Sequence, residues 1–312
     1  MKMAIDFEDQ SVVVTGAGRG LGRLFALELA RRGAQVVVND LGGSMHGEGS
    51  DESVAEQVVR EIQDAGGAAV ASHDSVADQG GAAAIVRTAV EQFGRLDAIV
   101  SNAGIFGTVP FEDISAEEWR RMMSVHVDGG FYLTQESFRV MKEQGYGRIV
   151  LVASSAGAFG QRLSAHYTAA KSALIGLSNT VALEGAPYGI ACNTLLPFGF
   201  SRMVSETVAD PAMLEMLENA IRPELVVPMA VFLASRECGL THRNLTAGGG
   251  GYSRAFMGLS AGWFAGLGVQ PSADDIATHI EEITATGDFV VPEAIDDEMS
   301  KIFGRLAQGA AQ

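Results

Sequence analysis

The sequence is poor in cysteine and in long apolar runs. Its 312 residues include two cysteines, Cys192 and Cys238, which lie far apart and lack the spacing of metal ligands. We therefore expect buried, reduced thiols and no metal site. No apolar run reaches the roughly 18 residues that a membrane helix requires. The acidic first ten residues lack the apolar stretch of a secretory signal, which favours a cytoplasmic protein without a membrane span.

Positive charge is also scarce. The chain has 22 Lys and Arg against 38 Asp and Glu, a formal net charge of −16. Nucleic-acid binding needs a basic face, so this balance argues against a nucleic-acid partner. It argues less against small anionic ligands, because a local basic patch can lie on an acidic protein.

What the sequence does contain is an alternation of short apolar segments with longer amphipathic ones. Segments that are apolar throughout are typical of parallel strands covered on both faces. Their alternation with helices predicts an α/β fold, a doubly wound parallel sheet of the Rossmann type with helices on both faces. The predicted strands are 11–15, 35–39, 68–72, 97–101, 147–153 and 190–196, and the predicted helices are 21–32, 51–65, 80–93, 116–142 and 164–185.

The last third of the chain has a different pattern. A helix is predicted over 222–236, followed by a glycine run at 248–251 and a helix over 272–285 that opens with an N-cap serine and acidic residues. We expect a catalytic domain over residues 1–240. Residues 241–312 would be a C-terminal extension, packed on the same domain or on a partner subunit.

A glycine-rich loop joins the first strand to the first helix. Gly16, Gly20 and Gly22 have the spacing Gly-x-x-x-Gly-x-Gly, with Arg19 and Leu21 between them. Glycines let the backbone approach a pyrophosphate, and the helix N-terminus supplies free N–H groups and a favourable dipole. The loop therefore predicts a dinucleotide site, although a glycine loop alone also suits an ordinary tight turn.

Polar residues at the ends of the next strands extend this candidate site. Asp40 would accept hydrogen bonds from the adenine ribose and repel the extra phosphate of NADP, whereas Arg19 could attract that phosphate. We favour NAD over NADP. Asp74 could bind the adenine amine, with Ser75 beside it, and the backbone of the run Asn102-Ala103-Gly104 would pack along the cofactor.

Tyr167 and Lys171 are the candidate catalytic pair. They lie four residues apart on a predicted helix and therefore share one face. A nearby ammonium lowers the pKa of a phenol, so Tyr167 could act as a general base toward an alcohol. Ser154 lies at the end of the fifth strand, thirteen residues earlier, with Ser155 as its rival.

Four features follow one another along the chain: the glycine loop, Asn102-Ala103-Gly104, Ser154 and Tyr167-x-x-x-Lys171. In this order they resemble the pattern of the short-chain dehydrogenase/reductase family, and the resemblance covers residues 8–240. The resemblance implies that Ser154 and Tyr167 bind the substrate oxygen and that Lys171 also binds the nicotinamide ribose. It implies cofactor contacts from Pro197 and Ser201. It also implies a homodimer or homotetramer formed through the helices near 116–142 and 164–185.

Within the family, several runs are similar to the (3R)-hydroxyacyl-CoA dehydrogenase part of peroxisomal multifunctional enzyme type 2, a group that includes bacterial hydroxysteroid dehydrogenases. His126 stands where the family commonly has Asn in a proton relay, and that subgroup tends to carry His, so we assign His126 a relay role. The family's closing strand would be replaced by the glycine run and the extension. The similar runs are Val38-Asn39-Asp40-Leu41-Gly42-Gly43, Val125-His126-Val127-Asp128-Gly129, Ser201-Arg202-Met203 and Ala261-Gly262-Trp263.

The sequence thus predicts an NAD-dependent enzyme that interconverts a secondary alcohol and a ketone on a small hydrophobic substrate, of hydroxysteroid or 3-hydroxyacyl type. The strong acidity argues against coenzyme A phosphates without excluding them. The alternatives are an NADP-dependent carbonyl reductase and a non-catalytic dinucleotide-binding regulator. Apolar residues expected at the substrate mouth are Phe106, Val109, Phe159, Leu163, Phe198, Phe200, Met203 and Val204.

Overall fold

A computed structural model describes residues 5–44, 46, 49–200 and 210–310. The chain forms two compact units that divide after Ala255. Within the described residues, no helix is both long and apolar enough to cross a membrane.

The first unit is built on one large sheet. In the described part of the chain this sheet has eight strands in the order β3-β2-β1-β4-β5-β6-β7-β8, and all neighbouring pairs except β7 and β8 are parallel. The strands are β1 Ser11–Thr15, β2 Gln35–Asn39, β3 Ala68–Ser72, β4 Ala98–Ser101, β5 Gly147–Val152, β6 Ile190–Phe198, β7 Arg243–Gly248 and β8 Gly251–Ala255.

Helices cover both faces of this sheet, which confirms the predicted doubly wound fold. In the first unit they are α1 Gly20–Arg31, α2 Ser53–Asp64, α3 Gln79–Phe93, α4 Ala116–Met123, α5 Gly129–Gln144, α6 Ser155–Phe159, α7 Ala165–Gly185, α8 Pro211–Ala220 and α9 Val227–Ala234.

One apolar core lies on each face of the sheet, because successive side chains of a strand point to opposite sides. In β1, Val12 and Val14 belong to the core that includes α1, α2 and α9, while Val13 belongs to the core that includes α3, α5 and α7. All five residues of β1 are buried. A strand that is apolar throughout is therefore explained by burial on two sides.

One predicted helix is interrupted. The prediction over 116–142 gave a single helix, but a π-helical turn, Ser124–Asp128, separates α4 from α5 and contains His126. A π turn inserts an extra residue into the helical repeat, so the side chains before and after it change direction. Such turns are frequent at functional sites, and this one lines the candidate site described below.

The expected loss of the closing strand is wrong. β7 lies parallel to β6, with Asn193 opposite Arg243 and Phe198 opposite Gly248, and β8 turns back antiparallel to β7. The sequence placed the end of the domain at residue 240, whereas these two strands extend the first unit to Ala255. The signal is weak because β7 is half-buried and β8 is mostly exposed, so neither is an apolar run.

The second unit has little interior of its own. Its short strands β9 Leu259–Ser260 and β10 Phe289–Val290 pair antiparallel. Its helices are α10 Ala273–Thr278, α11 Ile280–Thr284 and α12 Ile295–Ala310. Ser272 forms the N-terminal cap of α10, as its sequence predicts. Between residues 256 and 305 no residue is fully buried.

Both cysteines lie in the interior of the first unit. Burial raises the pKa of the Cys192 thiol to about 12, against a weaker lowering by its hydrogen bond with Ser178. Burial also raises the pKa of the Cys238 thiol. The expected buried thiols are therefore confirmed.

A buried carboxylate fixes the amino ends of two central strands. Asp97 is fully buried, accepts the Ser11 N–H at 2.9 Å and forms a two-bond ion pair with Arg95, at 2.6 Å for each bond. Paired in this way, the carboxylate holds the start of β4 beside the start of β1.

We expect Asp97→Ala to destabilise the protein by about 3 kcal/mol, because the Ser11 N–H and the Arg95 guanidinium both lose their partner. Chemical denaturation measured by circular dichroism would test this. Asp64→Ala, at the exposed end of α2, is the matched control and should have little effect. An Asp97→Ala protein as stable as wild type would contradict the role of this carboxylate.

Candidate active site

Most of the predicted site residues line one cleft of about 790 Å³ at the carboxyl edge of the sheet. Parallel strands bring their carboxyl ends together at one edge, which is why residues far apart in sequence meet here. Gly22 packs inside the glycine loop and does not line the cleft, and Ser201 lies outside the described residues. The predicted residues that line the cleft are Gly16, Arg19, Gly20, Leu21, Asp40, Asp74, Ser75, Asn102, Ala103, Gly104, His126, Ser154, Tyr167, Lys171 and Pro197.

The glycine loop interlocks with the end of β4. The Thr15 hydroxyl accepts the N–H groups of Asn102 and Ala103 at 3.0 and 3.1 Å, and the Asn102 amide donates back to the carbonyls of Thr15 and Gly16 at 3.0 and 3.2 Å. A Cβ at Gly16 would lie 2.8 Å from the Ala103 Cα, and one at Gly22 would lie 2.1 Å from the Gly16 oxygen. Glycine is therefore required at both positions by close packing.

The start of α1 presents unpaired backbone donors to the cleft. Arg19 precedes the helix without a side-chain cap. Gly20 has a φ of +54°, and a Cβ there would meet nothing within 4 Å. Free N–H groups, the positive end of the helix dipole and the absence of side chains fit a pyrophosphate.

Asp40 is fixed at the far end of the same cleft. One carboxylate oxygen accepts the Gly18 N–H at 2.8 Å and the other accepts the Gly42 N–H at 2.7 Å. The Arg19 guanidinium donates to the Gly43 carbonyl at 3.4 Å. Each carboxylate oxygen keeps acceptor capacity, so Asp40 can still accept hydrogen bonds from a diol.

A polar network positions Asp74 beside Asp40. The Asn39 amide donates to the Asp74 carbonyl at 2.9 Å and to the Ser72 hydroxyl at 3.2 Å. The Ser72 hydroxyl donates to the Asp74 carboxylate at 3.1 Å. Asp74 is therefore oriented by the ends of both β2 and β3.

The Tyr167 ring is held between two other rings. Phe106 lies with its ring centroid 5.1 Å away, and His126 lies 5.6 Å away, both edge-on at angles of 84° and 83°. Edge-to-face packing fixes the plane of the tyrosine. Ser154 hydrogen-bonds the Tyr167 side chain. Its own hydroxyl also accepts the Ala156 N–H at 3.1 Å, which caps α6.

The sequence predicts that Lys171 lowers the pKa of Tyr167, but in the structure this pKa is raised. Burial raises the pKa of the Tyr167 phenol, and the hydrogen bond from Ser154 opposes this only in part. Burial lowers the pKa of Lys171 to about 7. The amine lies 5.7 Å from the Tyr167 ring centroid and donates to the Val152 carbonyl at 2.7 Å. Desolvation of both groups, rather than their mutual attraction, determines these directions.

His126 is buried in the π turn, where it contacts the chain beyond β4. Its Nε2 lies 2.8 Å from the Ile105 carbonyl and 3.1 Å from the Ile105 N–H. Burial, with Lys171 nearby, holds the pKa of His126 well below its usual value, so the ring is neutral at physiological pH. A Cβ at Gly104 would lie 2.4 Å from the ring, which explains the glycine.

Several residues of this site carry no recognisable motif in the sequence. Thr15, Asn39 and Ser72 act through hydrogen bonds to residues distant in the chain, and Val152 contributes only its carbonyl. Of these four residues, only Thr15 lies next to a recognisable motif, because it directly precedes the glycine loop.

The structure describes six of the eight apolar residues predicted at the mouth; none of these six lines the cleft, and Val109 and Phe200 are half-buried. Phe106 is buried against Tyr167, whereas Phe159, Leu163 and Phe198 are exposed. Met203 and Val204 lie outside the described residues. Among the described residues no cluster of three or more His, Cys, Asp or Glu side chains could hold a metal ion.

Lys171→Met should raise the melting temperature near pH 7 by an amount that shrinks toward pH 10. Unfolding restores the ordinary pKa of 10.5 to the Lys171 amine, against about 7 when folded. Between pH 7 and pH 10.5 the Lys171 amine is protonated in the unfolded state but not in the folded state, so the free energy of unfolding of the wild type rises with pH. The methionine variant lacks this dependence on pH. Scanning calorimetry at several pH values would measure the difference.

Lys142→Met, which removes an exposed amine from α5, is the matched control and should follow the wild type across this range. A melting-temperature difference between Lys171→Met and wild type that did not vary with pH would rule out a lowered lysine pKa.

Comparison with known proteins agrees with this geometry. A family profile described as short chain dehydrogenase matches residues 10–211. The chain therefore belongs to the short-chain dehydrogenase family and is an oxidoreductase with the family's NAD(P) cofactor class.

The chain is similar to a protein of about its own length and to parts of longer multifunctional enzymes. It is 43% identical over 277 residues to a short-chain type dehydrogenase/reductase of Mycobacterium tuberculosis, covering 89% of this chain and 94% of that protein. It is 39% identical to peroxisomal multifunctional enzyme A of Dictyostelium discoideum, covering 96% of this chain but 61% of that enzyme. The structure of full-length peroxisomal multifunctional enzyme type 2 from Drosophila melanogaster matches with a TM-score of 0.81 and 30% identity, covering 97% of this chain and 50% of that one.

Proposed function

We propose that the protein is an NAD-dependent dehydrogenase that interconverts a secondary alcohol and a ketone on a hydrophobic substrate of hydroxysteroid or 3-hydroxyacyl type. One observation carries the proposal: a single cleft runs from Asp40 and the glycine loop to Ser154, Tyr167 and Lys171. A dinucleotide held along this cleft would have one end at Asp40 and the other beside the phenol.

The proposed chemistry centres on the Tyr167 hydroxyl. Ser154 and Tyr167 bind the substrate oxygen, and Tyr167 accepts its proton during oxidation or donates one during reduction. When bound, the nicotinamide would accept hydride from the substrate carbon during oxidation and return it during reduction, and its positive charge in the oxidised form would favour phenolate. This counteracts the burial that raises the tyrosine pKa.

Lys171 is proposed to act in two ways. Its amine, with a pKa near 7, can change its protonation state at the working pH and so stabilise a phenolate when charged. The same amine would bind the nicotinamide ribose. We also propose a relay role for His126, because its Nδ1 has no hydrogen-bond partner among the described residues and can accept one.

The finer substrate assignment rests on chemistry and on the relatives. The similarity to peroxisomal multifunctional enzymes favours an acyl substrate. The net charge of −16 is unfavourable for coenzyme A, which keeps a hydroxysteroid in consideration. The cytoplasmic location and the homodimer or homotetramer stay predictions.

Tyr167→Phe should reduce turnover at least a hundredfold while the protein stays folded, because the ring keeps its contacts with Phe106 and His126 but loses the proton. Turnover is measured by NADH absorbance with a panel of hydroxysteroids, 3-hydroxyacyl thioesters and alkan-2-ols.

Tyr188→Phe, on the surface turn after α7, is the matched control and should keep wild-type activity. Normal turnover by Tyr167→Phe would contradict Tyr167 as the proton-transferring group. Binding of NAD without turnover of any alcohol or ketone by the wild type would instead favour the non-catalytic regulator.

Asp40→Ala should raise the KM for NAD about tenfold or more and improve the use of NADP, since a ribose partner is lost together with a repulsive charge. Arg19→Ala is the complementary variant and should weaken NADP use most. The measurement is kcat/KM for both cofactors. If Asp40→Ala hardly affects NAD, the NADP-dependent carbonyl reductase becomes the better assignment.

A further inference from the structure

The cleft is locally richer in basic groups than the acidic chain as a whole. Among the described residues, three Lys or Arg side chains and two carboxylates line it. The carboxylates belong to Asp40 and Asp74, and two of the basic residues, Arg19 and Lys171, already have roles toward the proposed cofactor. The third is Arg121 on α4, to which neither the sequence motifs nor the proposed chemistry assigns a role.

The helix α4 presents Arg121 to the cleft. Arg121 lines it together with Ser124 and Val125, which follow about one turn further along the chain. The next residue, Met122, is buried in the apolar cluster that contains Tyr167. Met122 therefore fixes the end of α4 beside the catalytic residues, while the neighbouring Arg121 belongs to the wall of the cleft.

The acidic residue one turn before Arg121 serves the helix cap. The Glu118 carboxylate accepts the Ser115 N–H at 2.9 Å and the Ser115 hydroxyl at 2.7 Å, which completes a capping box at the start of α4. These hydrogen bonds hold the pKa of Glu118 below its ordinary value, and the charge of Arg121 contributes less to this shift. Glu118 is thus positioned by Ser115 rather than by the guanidinium.

The chemistry of a guanidinium limits the ligands that Arg121 suits. Its planar set of N–H donors binds two oxygens of one anion at once, and phosphate is a preferred partner. Arg121 is half-buried. A charge partly removed from water interacts more strongly with an ion than a fully exposed charge does. A half-buried guanidinium on the wall of a ligand cleft therefore points to an anionic ligand.

We propose that Arg121 binds a phosphate group in the cleft and so adds a contact from α4 to those of the glycine loop. The inference rests on the proposed function, because that function defines the ligands of the cleft. Two of these ligands carry phosphates, namely the dinucleotide and a coenzyme A thioester of the 3-hydroxyacyl type. Their phosphate oxygens offer the guanidinium the same chemistry, and equilibrium binding separates the two sources.

The experiment measures the Kd of NADH by its fluorescence, and the Kd of coenzyme A by calorimetry in the presence of NAD. Arg121→Gln removes the charge, whereas Arg121→Lys keeps it. We expect Arg121→Gln to raise at least one of the two Kd values about tenfold, and Arg121→Lys to recover part of that loss. A higher Kd for NADH identifies the cofactor as the source of the phosphate, and a higher Kd for coenzyme A identifies the substrate.

The dependence on salt is a second readout, which a purely structural role would not change. In the wild type the affected Kd should rise with NaCl concentration, because salt screens the attraction between guanidinium and phosphate. In Arg121→Gln the same Kd should rise less steeply.

Arg120→Gln is the matched control, because Arg120 lies on the same helix but is exposed and does not line the cleft. It should leave both Kd values unchanged. Unchanged Kd values in Arg121→Gln would overturn the inference. Weaker binding of both ligands that Arg121→Lys does not restore would indicate a structural role and overturn it as well. These measurements need no turnover, so a wild type that is inactive on every alcohol and ketone would overturn the proposed function while the Kd values still decide the role of Arg121.

Discussion

The interlock between Thr15 and Asn102 is the interaction on which the candidate site depends. It joins the ends of β1 and β4, the two strands at the point where the order of the sheet reverses. A doubly wound sheet opens its binding crevice there, because successive helices cross to opposite faces. Four hydrogen bonds among four residues hold the glycine loop against the end of β4, the strand that leads to His126 and Phe106.

Desolvation is the second constraint, and it works against stability. Tyr167 and Lys171 are both buried, and burial moves the pKa of each toward the neutral form. Burial of an amine without a compensating charge lowers the stability of the folded protein. The same burial makes both groups sensitive to a charge in the cleft, since electrostatic interactions are stronger away from water. Burial therefore costs stability at the two groups to which we assign proton transfer.

The sequence predicts the alternation of strands and helices because the buried strands are apolar throughout, as in β1 and β2. It predicts the candidate site because glycine, Asp40 and the Tyr167–Lys171 spacing are local patterns. It could not show the π turn, since a change of helical period over the five residues Ser124–Asp128 is too short to recognise in the apolar pattern. Nor could it show β7, whose alternation at the side of the sheet is weaker than an apolar run.

The electrostatics of the candidate catalytic pair could not be predicted from the sequence for a different reason. Spacing places an amine near a phenol, but burial by Phe106 and His126 is a tertiary property. The expected direction for the tyrosine pKa was wrong because attraction between neighbours was considered without the loss of water around both. Boundaries such as that after Ala255 likewise depend on which strands pair, not on composition.

The buried cysteines have a consequence for the chemistry of the whole molecule. A thiol whose pKa is raised to about 12 carries almost no thiolate at neutral pH, and thiolate is the form that oxidants and alkylating reagents attack. This oxidoreductase thus keeps its own thiols out of redox exchange. Its activity should respond to the ratio of oxidised to reduced nicotinamide cofactor, and hardly to the thiol state of its surroundings.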